Sequence, residues 1–318
     1  MSAVKVSIVI PVYNAENYLA ETLDSVLSQT YPHLEILLIN DCSRDSSLDL
    51  IKEYALKDPR IVVIDNEQNL GRSKSRNKAL DHATGDLISI LDADDVSLPS
   101  RIEKQVAFLE THPDIFLVGS SAIRIDSAGH VVGYHKAITD SKEIEDKLKS
   151  RNCIYHSCIT FRKTDRRYRD KFTLAEDYDF YLLLLSEGKR FASLNEELIK
   201  YRVYAESATG EQAVFIRLFA EKAKEFYAQR LKTGEDGYAQ FSPDEIFSIE
   251  ISKSDRREIL EAQLESLFKL NKFKELRTIS KRYFKKFGRL NPFFIMYLAS
   301  FMGVRCVNFL RKRMKRHA

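Results

Sequence analysis

Three carboxylates stand within four residues at Asp92-Ala93-Asp94-Asp95. They repel one another unless a cation or hydrogen-bond donors lie between them. In an extended segment, positions i and i+2 point the same way. Asp92 and Asp94 are therefore expected to share a face, with Asp95 turned aside toward backbone amides near the following helix. Hard oxygen ligands of this kind suit Mg²⁺ or Mn²⁺, ions that also bind phosphate oxygens. Two other polar clusters, Pro11-Val12-Tyr13-Asn14 and Asn40-Asp41-Cys42-Ser43, also follow short apolar runs. Any one of these clusters alone is accounted for by turn chemistry, since Asn, Asp and Ser favour turns. Farther along, Glu176-Asp177 reads either as a source of a catalytic base or as an acidic first turn favoured by the helix dipole.

The elements that must position these groups follow from hydrophobic periodicity. Short apolar runs predict strands over 6–11, 35–39, 61–64 and 87–91, alternating with helices over 15–31, 46–56, 72–82 and 99–111. Asn14 is placed to cap the first helix and Pro99 to occupy the first turn of the fourth. Repeated strand–helix units imply an α/β fold with a mainly parallel, doubly wound sheet flanked by helices. In such sheets ligands bind beyond the carboxyl ends of the strands, where the polar clusters lie. Residues 114–205 are less regular. Strands are expected over 115–119 and 122–125, a turn over 126–129, and helices over 141–149 and 176–187. From about residue 207 an all-helical C-terminal extension is expected, with segments over 207–231, 243–270, 271–287 and 292–316.

At this point the residues resemble a known family. VSIVIPVYN, INDCSRDSS, Asn69-Leu70-Gly71 through Ser75-Arg76-Asn77, LDADD, NCIYHSCITFR and LAEDYDFYL occur in the spacing and order of the inverting nucleotide-sugar glycosyltransferases of family two. The resemblance covers about residues 4–207. It implies a Rossmann-like GT-A domain over 1–206, followed by a helical region over 207–318. It also implies transfer of a hexose-type sugar from a nucleotide donor, of UDP type, to a hydroxyl on a glycan or lipid-linked glycan. A β-linkage would form, in surface polysaccharide or lipopolysaccharide assembly.

The same resemblance implies roles for individual residues. Pro11, Tyr13 and Asp41 frame the nucleobase, with Asp41 accepting from the uracil N3–H. Arg76 lies near the nucleotide or, failing that, is a surface charge on the third helix. Asp92 lies close to the ribose, Asp94 binds Mn²⁺ or Mg²⁺, and Asp177 is the base, with Glu176 its main competitor. His156 is expected on the acceptor side or else in a structural role. Arg202 is a diphosphate partner or a structural ion pair. The sequence departs from the family at Tyr204, where many relatives have a His that helps hold the metal or the diphosphate. In the implied chemistry a divalent ion stabilises charge on the leaving phosphates, and a carboxylate takes the acceptor's proton from the opposite face of C1.

Composition narrows the class further. Of the 318 residues 44% are hydrophobic and 30% charged, which excludes a largely disordered chain. Four cysteines, Cys42, Cys153, Cys158 and Cys306, with no C-x-x-C pair, argue against a disulfide scaffold, a zinc ribbon and a thioredoxin-like site. The N-terminal apolar run reads as a buried strand, with no cleavage site after it, so a cytoplasmic protein is expected. The net charge of +4 conceals an asymmetry: residues 271–318 hold 14 Lys/Arg and one acid, Glu275, so the segment is +13 and the rest −9. Ile295, Leu298, Met302, Cys306 and Phe309 fall on one helical face, followed by Arg311-Lys312-Arg313 and Lys315-Arg316. That pattern predicts either a helix lying on the anionic inner face of the cell membrane or a core helix with a basic end. Nucleic acid is not an expected partner, because no nucleic-acid motif accompanies the charge. Two other functions stand beside glycosyl transfer. One is sugar nucleotidyl transfer, which would want a Gly- and Arg-rich phosphate loop after the first strand. The other is a catalytically silent glycan-assembly partner.

Overall fold

The computed structural model describes residues 3–203, 211–250, 252–269, 272–289, 292–302 and 307. Tyr204 and the basic residues 311–316 lie outside this range, as do Cys306 and Phe309. The elements run β1 (Val6–Val12), α1 (Leu19–Leu27), β2 (Leu34–Asn40), α2 (Ser47–Lys57), β3 (Ile61–Asp65), α3 (Arg72–His82) and β4 (Leu87–Ile90). Next come β5 (Val96–Ser97), α4 (Arg101–Thr111), β6 (Ile115–Ile125), β7 (Val131–His135), α5 (Ser141–Leu148), β8 (Thr160–Arg162), α6 (Glu176–Ser186) and β9 (Arg190–Arg202). The remaining elements are helical: α7 (Glu211–Thr233), α8 (Asp244–Phe247), α9 (Lys253–Lys269), α10 (Phe273–Phe287) and α11 (Pro292–Ala299).

The sheet order is β3-β2-β1-β4-β8-β6-β9-β5, with β7 beside β6. β3, β2, β1 and β4 are mutually parallel, as the strand–helix alternation requires. β2 (LEILLIN) is buried at every position, the pattern of a strand covered on both faces. Beyond β4 the sheet becomes mixed: β8 is antiparallel to β4 and β6, while β9 is parallel to β6 and antiparallel to β5.

Several expected elements differ. α1 starts at Leu19, not near residue 15, and Asn14 is not its cap; Asn14 instead holds a left-handed backbone at φ 50°. It accepts from Arg44 N (2.8 Å) and its own N–H donates to Ser43 Oγ (3.1 Å), so it ties the loop after β1 to the loop after β2. Pro99 precedes α4, whose cap is Ser100. The two strands expected in 115–125 are one, β6, interrupted by register irregularities around Ser121. That bulge is why the apolar pattern breaks there. β9 lacked a strand signature because Asn195, Glu196 and Glu197 are exposed in its middle.

The chain forms two compact units. The first comprises the described residues up to Ile125, then Gly133–Arg202 and Phe219–Glu245. The second comprises Asp126–Val132 and the described residues within 203–218 and 246–307. The expected division at 206/207 therefore differs from the packing, since Phe219–Glu245 belongs with the sheet. Phe219, Phe226, Tyr238 and Phe241 all pack on Phe172, and Arg169 pairs with both Asp179 and Asp236. In the second unit Leu264, Leu267, Phe273, Leu276, Tyr283 and Val307 form the core. The helix expected over 292–316 is described over Pro292–Ala299 and is followed by a turn, in which Phe301 and Met302 donate back to Leu298 and Ala299.

Candidate functional site

Arg101 anchors the strand ends around the Asp triplet. This arginine is fully buried, and its guanidinium donates to the carbonyls of Ile90 (2.9 Å) and Ile159 (3.1 Å) and to Ser89 Oγ (3.0 Å). Burial lowers its pKa to about 10, which still leaves it charged at neutral pH. Asp92 follows directly after Leu91 at the end of β4, its amide donating to Ser157 Oγ (3.1 Å).

The triplet is a turn rather than an extended segment, with Asp95 N donating to Asp92 O (3.1 Å). Thr22 Oγ1 on α1 donates to the carbonyls of Ala93 and Asp95, both at 2.9 Å. Asp92 and Asp94 remain partly exposed, whereas Asp95 is buried. Asp95 does accept from a backbone amide, but it is that of Arg202 on β9 (2.7 Å), not one near the following helix. Burial and the neighbouring Asp94 and Asp92 charges push its carboxyl well above the ordinary range.

Asp41 sits at the end of β2 and is 4% exposed. Its Oδ1 accepts from Leu70 N (2.8 Å) and Asn66 Nδ2 (3.0 Å), and its Oδ2 from Gly71 N (2.9 Å). Asp41 thus holds the loop that opens α3. Gly71 caps that helix at φ 81°, a left-handed backbone that glycine adopts without steric cost. Pro11 sits near the end of β1 and Tyr13 on the loop that follows, with the Tyr13 ring half exposed.

Arg76, on α3, is where the structure most changes the sequence picture. It was expected beside the nucleotide or on the surface; its side chain is 3% exposed and bridges two carboxylates. Nη2 donates to Asp92 (2.9 Å) and Nη1 to Glu176 (2.7 Å), while the guanidinium faces the Tyr168 ring at 5.7 Å. Burial works against charge on this pair of partners. Even so, the carboxylates raise the Arg76 pKa and Arg76 holds the Asp92 carboxyl below the usual range.

Glu176 and Asp177 open α6, after Ala175 in a left-handed conformation. Glu176 is buried against Arg76, so the two acids have separate environments. Asp177 is half-buried; Oδ2 accepts from Asn152 Nδ2 (2.8 Å) and Oδ1 from Tyr178 N (2.7 Å). Burial, then the Glu176 charge, push its pKa up to about 6.

At two further residues the structure fits the structural alternative that the sequence left open. His156 is not on an open acceptor wall: it is 7% exposed, with Nδ1 bonded to Tyr181 Oη (2.7 Å) and Nε2 to Tyr168 Oη (2.9 Å). Burial, reinforced by Arg76, pushes its pKa well below the ordinary histidine value. Arg202 is 4% exposed and forms an ion pair with Glu21. It donates to the Asp94 carbonyl (2.8 Å) and to Glu21 (2.6 Å), and lies over the Tyr18 ring at 4.4 Å.

The structure therefore gathers Asp92, Arg76, Glu176 and Asp177 into one connected cluster. It leaves His156 and Arg202 as supports. Asn152, Ser157 and Tyr168 were missed as individual residues. Asn152 and Ser157 lie inside the NCIYHSCITFR motif, which was a usable signal; Tyr168 in an Arg-rich stretch gave none. Among the described residues no group of three or more His, Cys, Asp or Glu could hold a metal ion by itself. Asp92 and Asp94 offer a smaller set of hard oxygens, which suits an ion completed by phosphates and water.

The model for the family described as "Glycosyl transferase family 2" matches residues 7–169. The putative teichuronic acid biosynthesis glycosyltransferase TuaG of Bacillus subtilis is 32% identical over 212 residues, 65% of this chain and 82% of that protein. Among solved structures, S. aureus TarS 1-349 in complex with UDP is similar at a TM-score of 0.56 and 19% identity, covering 89% of each chain. The mannosyltransferase PcManGT from Pyrobaculum calidifontis, in complex with GDP-Man and Mn2+, is similar at a TM-score of 0.50 and 16% identity, covering 84% of this chain and 75% of that one. These two likenesses concern the fold, which is of GT-A type.

Proposed function

We propose, from the premise that this chain belongs to glycosyl transferase family 2, that it transfers a sugar with inversion from a UDP-sugar to a hydroxyl of a surface glycan. The teichuronic acid biosynthesis role of TuaG supports the surface-glycan class, and the UDP bound to TarS supports the UDP donor. In this reading Pro11 and Tyr13 flank the nucleobase beside Asp41. Asp41 organises the Asn66–Gly71 loop there as well as offering a carboxylate edge.

A divalent cation, Mn²⁺ or Mg²⁺, would be held by Asp94 with Asp92 beside it, and when bound it would neutralise charge on the diphosphate. The Mn2+ in the PcManGT complex supports the use of a divalent ion. The acceptor hydroxyl has a high pKa, so its proton must pass to a base as the new bond forms. Asp177 is that base. It is partly open, oriented by Asn152, and has a pKa near 6, so it is ionised at neutral pH yet more basic than an ordinary carboxylate. Glu176 does not compete, since its carboxylate is fixed on Arg76.

The observation that carries the reading is Arg76 joining Asp92, on the donor loop, to Glu176, the neighbour of the base. One buried cation thereby fixes the donor motif and the base helix relative to each other. The test is release of UDP from a panel of UDP-sugars, with and without glycan acceptors. Acceptor-stimulated release that collapses in Asp177→Asn supports the proposal. Full activity in Asp177→Asn, with Glu176→Gln inactive, would transfer the role to Glu176.

A further inference from the structure

The second compact unit presents an apolar surface that its own core does not use. Phe293 and Ala299 of α11 pack against the buried cluster around Leu276 and Tyr283. Ile295 and Leu298, by contrast, are 71% and 52% exposed, and Phe301 and Met302 in the turn that follows are 62% and 54% exposed. Ile295 and Leu298, three residues apart on α11, share one side of it.

A basic row runs beside this surface. Arg277 Nη1 donates to the Ser300 carbonyl (2.9 Å), and its guanidinium stands over the Phe301 ring at 4.8 Å. Lys281 and Lys285 follow Arg277 on α10 at four-residue spacing, so they continue along the same side of that helix. Between them Phe284 packs on Phe294 and Tyr297 of α11, at 5.6 Å in each case, which keeps the row alongside α11. Lys274, Lys281, Arg282, Lys285 and Lys286 are exposed, and the only acid on α10 is Glu275.

We propose that this face seats on the anionic leaflet of a lipid membrane. α11 would lie along the surface, with Ile295, Leu298, Phe301 and Met302 in the acyl boundary and the α10 cations at the headgroups. This goes beyond the transfer reading and does not depend on it. Eight helical residues span about 12 Å, far short of the ~30 Å hydrocarbon core. No described helix is long and apolar enough to cross a membrane. A second copy of the chain is the weaker occupant, because a two-fold contact would press two basic rows together. An anionic leaflet supplies the opposite charge, with an attraction that decays within a Debye length.

The test is sedimentation of the full chain with phosphatidylcholine vesicles, with and without phosphatidylglycerol. The intact protein should sediment with the anionic vesicles, less so as salt rises. Ile295→Glu/Leu298→Glu and Lys281→Glu/Lys285→Glu change exposed positions and should fold, as checked by circular dichroism and unchanged hydrolysis of the sugar nucleotide. Each should weaken partitioning by about tenfold or more. The proposal is overturned if both variants sediment as the intact chain does, if binding ignores either phosphatidylglycerol or salt, or if the intact chain stays in solution. It is also overturned if light scattering shows a dimer that Ile295→Glu/Leu298→Glu dissolves while vesicles bind neither form. Should a variant misfold, the lipid and salt dependence of the intact chain still decides.

Discussion

Arg76 and Glu176 are 100 residues apart in the chain, yet their side chains meet at 2.7 Å with 3% and 7% of their surfaces exposed. Asp92, on the other arm of the same guanidinium, is 35% exposed. A donor-loop carboxylate that faces solvent is thus tied through a buried cation to the residue preceding the candidate base.

Arg76→Met should therefore damage both stability and turnover. It leaves Glu176 buried without its counter-charge, and breaking a buried pair costs about 3–5 kcal/mol. Urea unfolding should show a lower midpoint. Arg76→Lys should recover part of the loss, because an ammonium group lacks the planar fork that serves two carboxylates at once. A fully stable Arg76→Met protein would show that the bridge is not structural.

Asp94→Asn should abolish the Mn²⁺ dependence of UDP binding while keeping the fold. The amide preserves shape and removes the charge that draws a hard cation. Calorimetric titration of UDP with and without Mn²⁺ measures this. Equal metal enhancement in the variant and the wild type would remove Asp94 from the site.

Asp177→Asn should spare binding of the sugar nucleotide and lower turnover by ~10²–10⁴-fold, the usual contribution of a general base. The wild-type enzyme should show an acidic limb in kcat/KM with its midpoint near the Asp177 pKa of about 6. The sign follows from the role, since the base must be deprotonated and activity is lost as pH falls through that value. The limb should vanish from the residual activity of the variant.

His156 should remain neutral throughout the pH range in which exposed histidines titrate. Its burial lowers its pKa well below the ordinary value, and both ring nitrogens are engaged by tyrosine hydroxyls. Imidazole nitrogen shifts from about pH 5 to 8, a range that brackets the unperturbed histidine pKa, should not move for His156. A titration with a midpoint near neutrality would show that the tyrosine cage opens.

The sequence by itself determined the parallel half of the sheet, because short, mostly apolar runs alternate there with helical segments. It also determined where the polar groups would collect, since Asp41 and Asp92 must emerge where the runs of β2 and β4 end. The Asp triplet, the acidic pair at 176–177 and the basic end were all legible as local charge. Tertiary structure alone decided what these groups do to one another. Periodicity reports which face of an element is apolar, but it is silent about a buried polar side chain whose partner comes from a distant segment. Arg76 read as a nucleotide contact or a surface charge until Asp92 and Glu176 closed on it. Arg202 stood equally between a diphosphate contact and an ion pair until the fold set its guanidinium on Glu21 and the Asp94 carbonyl. β9 went unseen because its exposed centre breaks the alternation, and its pairing with β6 restores it as a strand. Burying an arginine or a histidine is costly unless its partners arrive with it, and those partners are fixed by the fold and not by spacing along the chain.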